Sequence, residues 1–66
     1  MNTKYARQIV KDNNLDIIVR GRTNGIIKFH TTNESDLRTL KELLKGMGQT
    51  LRAELTPNNY YIIPRA

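Results

Sequence analysis

The chain has 66 residues, eleven of them Lys or Arg and six Asp or Glu, for a formal net charge of +5. That length suits one small α+β-sized domain, residues 1–66, with no room for a second. The absence of cysteine excludes disulfides, thiolate metal sites and cysteine nucleophiles, and the longest apolar or aromatic run, Tyr60 to Ile63, falls far short of the ~20 residues of a membrane span.

The leading residues Met1-Asn2-Thr3-Lys4 lack the apolar stretch of a signal peptide, so a cytoplasmic location is expected. So short a chain buries only ~60% of the surface its unfolded form exposes. Self-association as a homodimer is therefore an open source of stability.

Thr3 is placed to N-cap a helix over residues 4–13, its hydroxyl accepting from a first-turn amide. Tyr5, Ala6, Ile9 and Val10 share one face of that helix, and Lys4, Arg7 and Lys11 share another. Asn13-Asn14 suits the left-handed conformation that ends a helix. Residues 15–20 then alternate, with Leu15, Ile17 and Val19 on one side and Asp16, Ile18 and Arg20 on the other. Residues 26–31 alternate too, with Ile27 and Phe29 against Ile26, Lys28 and His30, and Asn24-Gly25 between the two strands is a hairpin signal.

Side-chain parity selects the turn. A two-residue Asn-Gly turn would set Val19 opposite His30 and mix core with surface on both faces. A three-residue loop, Thr23-Asn24-Gly25 with Gly25 left-handed, sets Val19 opposite Phe29 and Arg20 opposite Lys28, which leaves one face wholly apolar. Arg20 beside Lys28 is a like-charge pair, unfavourable unless an anion relieves it.

Asn33 and Asp36 form a capping pair, with Glu34 and Asp36 suited to a positive helix start. Leu37, Leu40, Leu43, Leu44 and Met47 recur at helical spacing, Arg38, Lys41 and Lys45 line a second stripe, and Gly46 and Gly48 supply the stop. Leu51, Ala53 and Leu55 alternate with Thr50, Arg52 and Glu54. Pro57-Asn58-Asn59 aligns with Thr23-Asn24-Gly25 of the first hairpin. A left-handed Asn59 puts Tyr61 and Ile63 in the core, whereas a two- or four-residue loop buries Tyr60 and Ile62. The alignment favours the former. Pro64 marks the end of a terminal strand.

The order is αββαββ, an α+β fold with a four-stranded antiparallel sheet and both helices on one face. The other face then shows Ile18, Arg20 and Arg22, Ile26, Lys28 and His30, and Arg52, Glu54, Tyr60 and Ile62. Arg20, Arg22, Lys28, His30 and Arg52 with the Tyr60 ring suit phosphate contacts and base stacking, which points to a small basic DNA- or RNA-binding protein. Ile18, Ile26 and Ile62 fit instead a protein contact, as in a phage or mobile-element inhibitor or adaptor docked on a host protein.

Catalytic sets are thin: His30 and Ser35 lack an orienting third group, and the acids show no metal-ligand spacing. No enzyme, metal or cofactor is expected. Helix, strand and strand with Val19-Arg20-Gly21-Arg22-Thr23-Asn24-Gly25, followed by Leu37-Arg38-Thr39-Leu40-Lys41-Glu42-Leu43-Leu44, faintly resembles HicA-type messenger-RNA interferase toxins, which are small, basic and double-stranded-RNA-binding-like. The resemblance implies ribonuclease activity, and a small ribonuclease using His30, the chain's one histidine, is a further alternative. That family's catalytic histidine follows a Gly-Ser pair on the second strand, where Gly25 stands nearest here, and a third strand before the second helix is absent. No site is carried over.

Overall fold

In the computed structural model, residues 2–21, 25–54 and 56–62 are described. The expectations for Arg22, the Thr23-Asn24 part of the first turn, Leu55, Ile63 and Pro64 lie outside them. Helix α1 spans Thr3–Asp12, one residue earlier than the capping pattern suggests. Asn2 is the cap: its Oδ1 accepts from Tyr5 N at 2.8 Å. Thr3 is thereby free to pack against Gly21, where an added Cβ would lie 2.5 Å from Thr3 Oγ1. Asn14 adopts φ 53 and ends the helix, while Leu15 N donates back to Val10 O at 2.9 Å.

Strands β1 (Ile18–Gly21) and β2 (Ile27–His30) pair antiparallel with Val19 opposite Phe29 and Arg20 opposite Lys28. Gly25 has φ 82, the left-handed value that the parity argument requires. Asn33 caps α2 (Glu34–Gly46), its Oδ1 accepting from Asp36 N at 3.1 Å. Asp36 does not reach back to complete a capping box. Its Oδ2 accepts from Asp16 N at 2.8 Å and so ties the start of α2 to the approach to β1. Buried Thr31 reinforces that junction by donating to Asp16 O and accepting from Asn33 N.

Strands β3 (Arg52–Ala53) and β4 (Asn59–Ile62) complete a four-stranded sheet in the order β1-β2-β4-β3. The last strand lies in the middle, paired with both β2 and β3. Ala6 and Val10 of α1 and Leu40 and Leu44 of α2 join Ile17, Val19, Ile27, Phe29 and Ile62 in one core. Both helices therefore cover the same sheet face, and Phe29, Leu40 and Leu44 are wholly buried. The apolar arcs are narrower than their spacing implies. Tyr5, at the margin of α1, is 51% exposed, and Met47, the C-cap beyond the last helical turn, is 38% exposed.

The second hairpin departs from the expected register. Asn58, not Asn59, takes the left-handed conformation, with φ 65, and Glu54 N donates to Asn59 O at 2.9 Å. Ala53 then faces Tyr60 and Arg52 faces Tyr61. Pairing with β2 sets Ile62 beside Ile27 and Tyr60 beside Phe29, joining apolar side to apolar side. The physical cause is the match across β2 and β4, which a local comparison of turns does not contain. Tyr60 and Ile62 thus belong to the helix-covered side, and Tyr61 to the opposite one.

Candidate functional site

Strand parity arranges the face opposite the helices into two cross-strand rows. One runs Arg20, Lys28, Tyr61, Arg52, a residue from each strand in sheet order. The other runs Ile18, His30, Asn59. Glu54 extends it, because its backbone continues the pairing of β3 with β4 opposite Asn59. Strands ~4.8 Å apart put the backbones of Arg20 and Arg52 about 14 Å from each other.

Arg20 and Arg52 are exposed and have no ion-pair partner among the described residues. Lys28 differs. Its Nζ lies 3.1 Å from Glu54 Oε2, with both side chains about four-fifths buried at 23% and 19% exposure. Since β4 separates β2 from β3, this ion pair crosses over β4 between the positions of Tyr61 and Asn59. It supplies from within the chain the counter-charge that the Arg20–Lys28 adjacency calls for.

Asn59 is held at both ends of its amide. Its Nδ2 donates to Pro57 O at 3.2 Å, so Oδ1 is the atom turned toward His30 Nδ1, 3.0 Å away. An amide oxygen only accepts, so the imidazole tautomer that pairs with it is the one with N–H at Nδ1. Its Nε2 is the atom free to meet a ligand. Ile18, Arg20, Lys28, His30 and Asn59 line a shallow depression of ≈ 430 Å³ beside it.

The sequence-derived site residues divide accordingly. Arg20, Lys28, His30 and Arg52 come together on the open face, and Ile18 joins them, 51% exposed. Tyr60 does not. It packs against the core on the helix side, where Lys41 Nζ lies 5.9 Å from its ring centroid. Ile62 is core, 2% exposed, and Ile26 is half-buried, so the three isoleucines do not form one apolar patch. Arg22 lies outside the described residues. Sequence reasoning misses Asn59, whose only local signal is its place before an aromatic strand. For the ring it weighs two registers and favours the one that buries Tyr61, whereas the structure has the other.

The basic helix stripes do not converge with this face. Lys4, Lys11, Arg38 and Lys45 are exposed on the helical layer, and Arg7 Nη2 reaches Val19 O at 3.5 Å. Ser35 lies exposed in the first turn of α2, where its carbonyl accepts from Thr39, and His30 is engaged by Asn59 instead. Among the described residues no group of three His, Cys, Asp or Glu is gathered as a metal site, and no helix is long and apolar enough to cross a membrane. Comparison with protein-family models, with curated proteins and with solved structures yields no match.

Proposed function

We propose that this is a non-catalytic nucleic-acid-binding protein that uses the open sheet face for phosphate contacts. The observation that supports this most directly is the row Arg20, Lys28, Tyr61, Arg52, which carries cations on both flanks of an aromatic ring. Guanidinium groups without an internal counter-ion meet phosphate oxygens in bidentate fashion, and their planar forks tolerate a backbone that approaches from several angles. The net charge of +5 adds long-range attraction to a polyanion. Docking on a host protein has less support, because Ile62 is committed to the core and Ile18 alone of the three isoleucines stands widely exposed.

The test is a titration of labelled oligonucleotides at several salt concentrations. Each phosphate contact contributes ~0.7–0.9 to the slope of log affinity on log salt. Arg20→Gln with Arg52→Gln should lower the magnitude of that slope by about 2 contacts' worth while the thermal midpoint stays within a few degrees. Affinity indifferent to salt, or unchanged in the double variant, would refute the reading.

A further inference from the structure

We infer that the open face takes single-stranded nucleic acid, with an unpaired base stacked on Tyr61 between phosphates held by Arg20 and Arg52. The inference rests on the nucleic-acid reading above and narrows it to one form of the polymer. Three features of the face carry it.

The first is shape. Both helices lie behind the sheet, and among the described residues the open side presents short cross-strand rows and no helix. A major groove about 12 Å wide and 8.5 Å deep is read by something that enters it, such as a helix or a two-stranded ribbon. A four-stranded surface wider than that groove, with its helices behind it, meets the outside of a duplex rather than its base edges. There it would meet phosphates and leave its ring without a partner.

The second is the position of the ring. Tyr61 is half-buried on β4, one of the two central strands, with Lys28 opposite on one side and Arg52 on the other. A ring so placed is partly covered and partly open to a ligand on the sheet face. Base faces become available to such a ring only when the base is unpaired and unstacked. Were phosphates the whole ligand, only the Tyr61 hydroxyl would find a use, as a donor to phosphate oxygen, and the ring would have none.

The third is the mixed chemistry next to the ring. The depression at Ile18, His30 and Asn59 combines an exposed aliphatic side chain with an imidazole whose Nδ1 is held by Asn59 Oδ1. His30 lies diagonally across the β2–β4 pairing from Tyr61, because Lys28 is opposite Tyr61 and Asn59 opposite His30. Cross-strand diagonal positions lie ~7–8 Å apart, within reach of neighbouring bases on one strand. Ile18 offers an apolar wall, and His30 Nε2 offers one hydrogen-bonding atom to a base edge. Phosphates have no use for an aliphatic wall, whereas a splayed base does.

The experiment compares one labelled oligonucleotide, single-stranded, with its blunt-ended duplex, at equal low salt, for the wild type, Tyr61→Phe, Tyr61→Leu and the Arg20→Gln/Arg52→Gln double variant. The single strand should bind at least about tenfold tighter than the duplex. Tyr61→Phe should keep that affinity, and Tyr61→Leu should lower it about 5- to 150-fold, the range for one lost base stack, with the duplex unaffected. Tyrosine emission quenched on adding the single strand, and less so in Tyr61→Phe, gives a second readout that needs no label. Duplex bound as tightly as single strand, with the double arginine variant weakening both, overturns the inference and leaves the phosphate-binding face standing. Equal loss in Tyr61→Phe and Tyr61→Leu overturns the stacking role. Failure of every oligonucleotide to bind overturns the inference together with the reading beneath it.

Discussion

Replacing Gly21 by alanine tests the contact that seats α1 against β1. Gly21 does not have the left-handed φ of Gly25, so its backbone is one that alanine adopts without strain. On backbone grounds alone, Gly→Ala in a compatible conformation stabilises by ~0.4–1 kcal/mol, because the unfolded chain loses freedom. Space argues the other way. The new Cβ would sit 2.5 Å from Thr3 Oγ1 and 3.5 Å from Thr3 Cβ and Cγ2. Thr3 is β-branched and at the start of a helix, so its side chain has few rotamers to retreat into. Either its χ1 turns or the first turn of α1 lifts. Overpacking of this kind costs about 1–3 kcal/mol, which leaves a net loss on the order of 1–2 kcal/mol.

The magnitude is easy to see in a domain this small. One kcal/mol moves the thermal midpoint by roughly 4–8 °C at this size, so Gly21→Ala should lower it by about 5–15 °C. Thr3→Ala removes the offending oxygen and methyl together. In that background Gly21→Ala should become neutral or stabilising, giving a coupling on the order of 1–2 kcal/mol between two residues far apart in sequence. Four proteins followed by far-ultraviolet circular dichroism on heating are sufficient. An equal penalty with and without the Thr3 side chain would refute the account, since the loss would then come from something other than this contact.

Leu40→Ala and Leu44→Ala should each cost ~2–5 kcal/mol, because both side chains are wholly buried between α2 and the sheet. Against the ~3–5 kcal/mol a domain this size holds, either should unfold much of the population at room temperature, and an unchanged urea midpoint would show the core is packed otherwise. Glu54→Gln should strengthen oligonucleotide binding at low salt and steepen the salt slope by ~0.7–0.9, because Lys28 is then released to a phosphate. A lower affinity, or an unaltered slope, would show that the ion pair does not compete with the ligand.

The two hairpins show what part of this fold is legible locally. In the first, Val19 and Phe29 alternate with Arg20 and Lys28, so only one register puts apolar against apolar, and Gly25 accommodates the turn that register needs. In the second, Tyr60-Tyr61-Ile62-Ile63 has no polar residue to break the symmetry between its two sides. Both registers bury two apolar residues and expose two, and the choice passes to the long-range partner. Strand β4 pairs with β2 across all of α2, and that pairing puts Tyr60 beside Phe29 and Ile62 beside Ile27. No window of neighbouring residues contains this information. The same reasoning covers Thr3. Asn2 and Thr3 are both competent caps, and the contact with Gly21, eighteen positions on by numbering, favours keeping Thr3 in the first turn.

One change of register alters the site without altering its composition. Tyr60 outward would have left a ring on the open face, and so does Tyr61, but the neighbours differ. Parity puts Tyr61 in the row of Arg20, Lys28 and Arg52, whereas Tyr60 shares the side of Phe29 and Ala53. The aromatic group and the uncompensated guanidinium groups therefore share one line only because β4 is central and in the observed register. The helical layer has cations too, yet Asp12 and Glu42 stand among them and its tyrosines are otherwise placed, Tyr60 against the core and Tyr5 out on the margin of α1. Positive charge alone attracts any polyanion to either side of so small a molecule. What separates the two sides is the ring between arginines, and on the described residues that arrangement exists on the sheet face.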